Sequence, residues 1–373
     1  MFDEFVVPKE LVPSDPRFGS GPSLIPVEFL KALYETGHEF MGTSHRKPTV
    51  KNIVKEAQVG LAKYFNLPSD YLVTLGNGGA TLLFDMIALG LVEKKITHFT
   101  CGEFSEKWYK SSKNVPWISA DQVSVPFGKG INGKAVAGSD VIAVTLNETS
   151  TGVQLTELPV VDENTILAVD ATSGGGQCPC DLSKVDIFFF APQKVFASDG
   201  GLWIAIMSPK ALKRAKKIAE DKSRYIPDIM SWTHAISNSE ANQTYNTPAL
   251  ATIFMMNEQI KRMNELGYAK VQELATKKAN LLYGWAEEKS YLSCFIEEKE
   301  FRSIAVATID VDERVSVDEM IKFLEKKKLV YGIDGYRKLG RNQFRISMFH
   351  NISYEDLEKL TKLISLMIES KLK

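Results

Sequence analysis

The sequence predicts an α/β protein with a large domain, built on a mostly parallel central sheet, and a smaller C-terminal α+β domain. Short, continuously apolar segments alternate with stretches of helical periodicity, a pattern typical of strands buried on both faces by helices. Near residue 267 the order changes to strand, helix, strand, strand, helix. A chain of 373 residues accommodates both units. We therefore expect an N-terminal segment and large domain over residues 1–267, and a small domain over residues 268–373.

Individual elements follow from the same periodicities. The large domain begins, after a stretch rich in Pro and Gly, with an amphipathic helix over 49–65 and a strand over 71–75. A glycine turn then opens a helix over 80–92. The basic segment 210–222 has apolar residues at helical spacing and is interpreted as a helix with a solvated face. Further strands are predicted at 97–100, 140–146, 166–169, 186–190, 202–207, 303–309, 330–333 and 343–348, and further helices at 249–266, 268–289, 317–327 and 354–371.

Composition excludes several classes of function. The formal net charge is −1, so no global basic bias attracts nucleic acid. The four cysteines have neither CxxC nor zinc-finger spacing, and we expect reduced thiols and no metal site. The N-terminus lacks the features of a signal peptide, and no apolar stretch approaches the length of a membrane span. The sequence therefore predicts a cytoplasmic protein without membrane or nucleic-acid partners.

The turn Gly76-Asn77-Gly78-Gly79-Ala80-Thr81 connects a predicted strand to a predicted helix. Free N–H groups and the positive helix end favour a phosphate there, and glycine lets a ligand approach the backbone. Such turns also need glycine for their geometry alone. The segment has neither the Walker A sequence nor the GxGxxG spacing of dinucleotide-binding folds.

Asp170 and Lys194 each follow a predicted strand of the large sheet. Taken singly, Asp170 is better explained as a turn cap and Lys194 as a solvated loop lysine. Since ligands of open α/β sheets bind beyond the carboxyl ends of the strands, both side chains can face one crevice. Pyridoxal 5′-phosphate (PLP) needs one carboxylate to keep its pyridine nitrogen protonated and one lysine to form a Schiff base. The glycine turn would then supply the phosphate site.

Eight motifs in order give the chain a family resemblance. From about Phe18 to the C-terminus it resembles the phosphoserine aminotransferases, class-V members of the fold-type-I PLP-dependent transferases, and above all their actinobacterial-type branch. The motifs are SHRK (Ser44–Lys47), GNGGAT (Gly76–Thr81), NETSTG (Asn147–Gly152), VDATSG (Val169–Gly174), APQK (Ala191–Lys194), SDGGLW (Ser198–Trp203), NQTYNTPA (Asn242–Ala249) and GYRKLGRNQFR (Gly335–Arg345).

The resemblance implies a role for each cofactor-binding residue. Lys194 would form the Schiff base and shuttle the proton, and Asp170 would pair with the pyridine nitrogen. Phe104 would stack on the cofactor ring, and Thr149 would bind its phenolic oxygen. The phosphate contacts would come from Thr172, Gln193 and the backbone of Gly79, Ala80 and Thr81, together with Asn246 and Thr247 of the neighbouring subunit of a homodimer.

Substrate recognition is predicted from charge. Phosphoserine and 3-phosphohydroxypyruvate each carry a phosphate and a carboxylate, and arginine binds both groups with two hydrogen bonds. The resemblance implies that Arg345 holds the carboxylate and that His45, Arg46 and Arg337 hold the phosphate, some across the dimer. The implied reaction transfers an amino group from L-glutamate to 3-phosphohydroxypyruvate and gives O-phospho-L-serine. The wider set of candidate cations is His45, Arg46, Lys47, Arg337, Lys338, Arg341 and Arg345.

Two departures and several alternatives stand beside this interpretation. Many family members have His where this chain has Tyr336, and some carry an arginine where it has Ala80-Thr81. Another class-V enzyme, such as an alanine/serine–glyoxylate aminotransferase, remains an alternative. A cysteine desulfurase is disfavoured because Cys294 lies in apolar surroundings. A nucleotide-binding domain and a non-catalytic protein with this fold are the alternatives from other classes.

Overall fold

The structure, a computed structural model, describes residue 2 and residues 4–372. Its helices are α1 (Val27–Glu35), α2 (Pro48–Tyr64), α3 (Ala80–Gly90), α4 (Glu103–Lys113), α5 (Pro209–Ala219), α6 (Trp232–Glu240), α7 (Leu250–Leu266), α8 (Tyr268–Glu288), α9 (Val317–Lys326) and α10 (Tyr354–Leu372). Its strands are β1 (Leu72–Gly78), β2 (Lys95–Thr100), β3 (Ser119–Ser124), β4 (Val141–Thr145), β5 (Asn147–Glu148), β6 (Val153–Gln154), β7 (Ile166–Asp170), β8 (Ile187–Phe190), β9 (Gly201–Met207), β10 (Leu292–Cys294), β11 (Val306–Val311) and β12 (Gln343–Ser347).

The large sheet has seven strands in the order β1-β9-β8-β7-β4-β2-β3. Strand β9 runs antiparallel to both of its neighbours, and the other neighbouring pairs are parallel. Every residue of β4, β7 and β8 is buried, because helices cover both faces of the sheet. The predicted fold class, a mostly parallel sheet in a large α/β unit, is confirmed.

The C-terminal unit pairs β10, β11 and β12 in an antiparallel sheet, against which α8, α9 and α10 pack. The strand predicted over 330–333 is wrong, and β10 takes the third place instead. Gly332 has a φ of +76° in the left-handed region, which breaks an extended strand. Tyr331 pairs with the N-terminal segment instead, accepting a hydrogen bond from Phe18 N at 3.0 Å and donating one to Pro16 O at 2.7 Å.

The N-terminal segment and α8 both connect the two units. Phe2 and Phe18 are buried in the C-terminal hydrophobic core. Helix α8 contributes Val271 to the core of the large sheet and Leu282 to that of the small one. Gly267, with a φ of +81°, separates α7 from α8, and the domain boundary placed there stays a prediction.

Other sequence-based elements lie within a few residues of their predicted bounds, while helices α1, α4 and α6, edge strand β3 and the short strands β5, β6 and β10 were not predicted. Strand β3 is polar and mostly exposed, so its sequence lacks the apolar run that identifies a buried strand. The basic segment does form a helix, α5, which buries Ala211, Ala215 and Ile218 and leaves Lys213, Lys216 and Lys217 exposed. Over the described residues, no helix has the length and apolarity to cross a membrane.

Candidate active site

Lys194 lies four residues beyond the end of β8, under the N-terminal segment. Its Nζ donates a hydrogen bond to Ser20 O at 2.6 Å. Ser23 fixes the lysine backbone, since its Oγ donates to Lys194 O at 2.6 Å and its N to Gln193 O at 2.8 Å. A Cβ at Gly21, whose φ is +146°, would stand 1.9 Å from Lys194 Nζ. Gly21 therefore provides the space that the amine occupies.

Burial lowers the pKa of Lys194 to about 8, and the positive charge of Arg345 acts in the same direction, while Asp170 opposes the shift. A neutral amine is the form that attacks a carbonyl and accepts a proton. An ordinary lysine, with its pKa near 10.4, is almost wholly protonated at pH 8. Lys194 is therefore prepared for nucleophilic and general-base chemistry.

Asp170 is the last residue of β7, and it pairs in register with Phe189 of β8. Burial raises its pKa to about 6, while hydrogen bonds from Thr172 oppose the shift. Thr172 donates to Oδ1 twice, from its backbone N at 2.9 Å and from Oγ1 at 2.5 Å. Within the described part of the chain, nothing donates to Oδ2. One carboxylate oxygen is thus fixed by the protein, and the other is available to a cationic donor.

Phe104 occupies the first turn of α4, where the buried carboxylate of Glu148 holds the helix end. Glu148 accepts hydrogen bonds from Phe104 N at 3.3 Å and Ser105 N at 2.9 Å. Ser105 Oγ and Ser150 Oγ donate to the same carboxylate at 2.9 and 2.7 Å. A carboxylate at a helix N-terminus is favoured by the helix dipole and by the free N–H groups. Glu148, absent from the predicted site, therefore fixes the backbone that carries the Phe104 ring.

Arg345 and Thr149 meet on the side of the crevice formed by the C-terminal unit. Arg345 Nη1 donates to Thr149 O at 3.4 Å, and its guanidinium carbon lies 5.5 Å from the centre of the Tyr336 ring. The Tyr336 ring in turn lies 5.9 Å from that of Phe104. Arg345 Nε is buried without a hydrogen-bond partner in the described structure, whereas the Thr149 hydroxyl donates to Ser173 Oγ at 2.7 Å. Arg345 thus keeps an unpaired donor inside the crevice.

The predicted phosphate cradle is the glycine turn between β1 and α3. Strand β1 runs through Gly78, and a Cβ at Gly79 would meet nothing within 4 Å, so the turn is open to a ligand. The first N–H groups of α3, which begins at Ala80, have no partners within the helix. The buried amide oxygen of Gln193 lacks a hydrogen-bond partner among the described residues, and because that oxygen only accepts, a contact to a phosphate would come from the amide N–H groups. This cradle, the amine of Lys194 and the carboxylate of Asp170 fit the phosphate, the aldehyde and the pyridine nitrogen of PLP, respectively.

A second cluster brings together residues that the sequence assigned to the neighbouring subunit's site. Asn77 Nδ2 donates to Thr247 O at 2.6 Å, and Ala249 N donates to Asn77 Oδ1 at 3.2 Å. Thr247 Oγ1 lies 3.1 Å from His45 Nδ1, and the buried His45 Nε2 has no partner in the described chain. Burial and the charge of Arg46 both lower the pKa of His45. The segment that holds Asn246 and Thr247 is thus tied to the glycine turn of its own chain.

The candidate cations divide into free and paired side chains. Lys338 forms an ion pair with Glu103. Arg341 pairs with Asp310 at 2.6 Å and covers the Phe295 ring. No carboxylate among residues 2 and 4–372 pairs with the four other lysine and arginine candidates, which are Arg46, Lys47, Arg337 and Arg345.

Comparisons with known proteins identify the family and support the fold. The family model of class-V aminotransferases matches residues 18–360. A phosphoserine aminotransferase of Corynebacterium glutamicum (strain R) is 42% identical over 372 residues, which cover 99% of this chain and 98% of the relative. The crystal structure of a phosphoserine aminotransferase from Cytophaga hutchinsonii superposes with a TM-score of 0.86 at 26% identity, covering 95% of this chain and 99% of that one. A PLP-bound phosphoserine aminotransferase from Trichomonas vaginalis shares the fold, with a TM-score of 0.80, 21% identity and coverage of 94% and 99%.

Proposed function

The chain belongs to the class-V aminotransferases and, within them, to the phosphoserine aminotransferase family, and from that premise we propose that it transfers the amino group of L-glutamate to 3-phosphohydroxypyruvate. The products are 2-oxoglutarate and O-phospho-L-serine, and the cofactor is pyridoxal 5′-phosphate. The observation that carries the proposal is the position of the buried Lys194 amine, on which the charges of both Asp170 and Arg345 act. When bound, the cofactor supplies an electron sink for the substrate's α-carbon.

Each residue of the crevice has a separate role in this proposal. The Lys194 amine holds the cofactor and moves the proton to and from the substrate's α-carbon, for which a pKa of about 8 suits it. Asp170 holds the proton on the pyridine nitrogen through Oδ2. Phe104 covers one face of the ring, and Thr149 donates to the phenolic oxygen once its hydroxyl turns from Ser173.

The phosphate of the cofactor lies at the glycine turn in this proposal. The N–H groups of Gly79, Ala80 and Thr81 donate to it, since phosphates bind at helix N-termini. Gln193 contributes its side-chain amide. The hydroxyl proton of Thr172 is already donated to Asp170, which supports a role in fixing that carboxylate rather than the phosphate contact predicted from sequence.

Arg345 is proposed to bind the substrate carboxylate, and this role gives a prediction. Arg345→Gln should raise KM for L-glutamate and for phosphoserine about tenfold to a hundredfold, because a charge-assisted bidentate contact contributes about 1.5–3 kcal/mol. Steady-state kinetics with each substrate measure this. Arg341→Gln is the matched control, since Arg341 is paired with Asp310, and its KM values should stay at those of the parent enzyme. Equal KM changes in both variants would contradict the assignment.

We further propose a cytoplasmic homodimer with shared active sites. His45 and Arg46 would bind the substrate phosphate together with Arg337, and Asn246 and Thr247 would reach the cofactor phosphate of the neighbouring subunit. The exposed guanidinium of Arg46 and the unpaired, buried Nε2 of His45 support a site that a second chain completes.

Mixing two inactive variants distinguishes shared sites from sites within one chain. Lys194→Ala and Arg46→Ala subunits, unfolded and refolded together, should regain roughly a quarter of the parent activity at a one-to-one ratio, since half the dimers then contain one intact site. Each variant refolded alone is the control. Activity of the mixture that only equals the sum of the two controls would place Arg46 in the site of its own chain.

The reaction itself is tested by initial rates with L-glutamate as donor and either 3-phosphohydroxypyruvate or glyoxylate as acceptor. We expect kcat/KM for 3-phosphohydroxypyruvate to exceed that for glyoxylate by at least about a hundredfold, because glyoxylate lacks the phosphate that the free cations bind. A preference for glyoxylate would instead identify an enzyme of the alanine/serine–glyoxylate aminotransferase type.

A further inference from the structure

We propose that Lys107 is a cation of the cofactor's phosphate site, where it acts beside Thr81. This inference rests on the proposed function, because it assigns one more residue to the phosphate cradle. Neither the glycine turn nor its fold requires a lysine on the adjacent helix, so the assignment comes from geometry and charge alone.

The geometry places Lys107 next to the first turn of α3. Helices α3 and α4 lie side by side, and Lys107 Nζ on α4 donates to Thr81 Oγ1 on α3 at 3.3 Å. One turn further along both helices, the hydroxyl of Ser111 donates to Asp85. Phe104 precedes Lys107 by three residues and therefore lies on a neighbouring part of the α4 surface. Lys107 thus lies between Phe104, which is proposed to stack on the cofactor ring, and the proposed phosphate cradle.

The charge of Lys107 is uncompensated. Among residues 2 and 4–372 it has no carboxylate partner, whereas Lys110 on the same helix pairs with Glu106 at 3.5 Å. The turn Gly76–Thr81 contains no charged side chain of its own. A phosphate with a charge near −2 would therefore meet neutral donors and a helix dipole at this turn, but no cationic side chain of the turn itself. In the described structure, Lys107 is the cationic side chain that a hydrogen bond joins to this turn.

The hydrogen bond to Thr81 also orients a donor. A threonine hydroxyl has one proton to donate and two lone pairs. Because Lys107 donates to one lone pair, the hydroxyl proton of Thr81 is left for a phosphate oxygen. Holding an exposed lysine in one rotamer costs entropy, and a single hydroxyl partner offsets little of it. A bound phosphate would supply the stronger partner.

The test uses the full-length protein without cofactor and compares two aldehydes. We expect Lys107→Gln to raise the Kd for PLP about fivefold, the effect of one exposed charge contact, and to leave the Kd for pyridoxal, which lacks the phosphate, unchanged. Absorbance titration gives both constants. Lys107→Arg should keep the parent Kd for PLP, and Lys110→Gln, one turn along the same helix, is the matched control.

Two results would overturn the assignment. The first is an unchanged Kd for PLP in Lys107→Gln, and a raised KM for phosphoserine in that variant would then indicate that the ammonium binds the substrate's phosphate. The second is an equal loss of affinity for PLP and pyridoxal, which indicates damage to the crevice. Failure of the parent protein to bind PLP would contradict the proposed function instead, and so the two failures are distinguishable.

Discussion

Lys194→Ala is expected to lower kcat with L-glutamate and 3-phosphohydroxypyruvate by at least about 10⁴-fold, the upper range for one positioned acid–base group, because the same amine also holds the cofactor. The fold should persist, since the only hydrogen bond of Lys194 Nζ within the described chain is to Ser20 O. Steady-state kinetics and thermal unfolding of the variant measure the two expectations.

Lys278 offers a matched control for this experiment. It is also buried, burial also lowers its pKa to about 8, and its Nζ donates to Phe349 O and His350 O, each at 3.0 Å, within the C-terminal unit. Lys278→Met should therefore cost about 1–3 kcal/mol of stability through the two unpaired carbonyls while kcat is kept. Turnover by Lys194→Ala at a rate comparable to that of the parent enzyme would exclude Lys194 as the catalytic lysine.

Asp170→Asn should lower kcat about 10²- to 10³-fold, the range seen when one preorganised electrostatic contact is removed from an active site. The amide keeps the size of the carboxylate and still accepts hydrogen bonds from Thr172, so the backbone should not move. Asp186→Asn is the control. Asp186 is a buried carboxylate that directly precedes the first residue of β8, at the edge of the sheet away from Lys194, and it pairs with Lys210 at 2.8 Å. That control should lose stability and retain kcat. Parent-like kcat in Asp170→Asn would remove Asp170 from the proposed mechanism.

The pH dependence of Asp170 has a defined sign. Its pKa, raised to about 6 in the folded protein, means that the folded state binds more protons than the unfolded state between pH 4 and pH 6. Stability of the apoprotein therefore falls as pH rises through this window, by on the order of 3 kcal/mol. Asp170→Asn should remove that cost, and above pH 6 its apoprotein should unfold at a higher temperature than the parent apoprotein. The affinity of the parent for PLP should weaken as pH falls below about 6, where the carboxyl becomes neutral.

The sequence could identify features whose signal is local. Lys194, Asp170 and the glycine turn each follow an apolar run that marks a buried strand, and in a parallel sheet the ends of such strands converge. The residues that sequence analysis missed contact the site from positions far away in the sequence. Ser20 reaches Lys194 across 174 positions, and no local pattern encodes that contact. The signal that could have found Gly21 is the Gly-Pro pair in the segment that precedes α1.

Charge pairing was likewise beyond prediction from sequence. Arg337, Lys338, Arg341 and Arg345 look alike as one basic segment, yet Lys338 and Arg341 are neutralised by Glu103 and Asp310, which lie 235 and 31 positions away. The predicted strand over 330–333 failed for a related reason. Its apolar residues are compatible with a strand, but Gly332 bends the chain to receive the N-terminal segment.

The visible absorption spectrum of the purified holoprotein, recorded before and after addition of O-phospho-L-serine, tests the central claim most directly. We expect a yellow band from the cofactor held on Lys194, which phosphoserine removes within one turnover and which L-alanine leaves nearly unchanged at the same concentration. A band that L-alanine removes and phosphoserine does not would contradict the account, because the cations around Arg345 would then serve some other substrate.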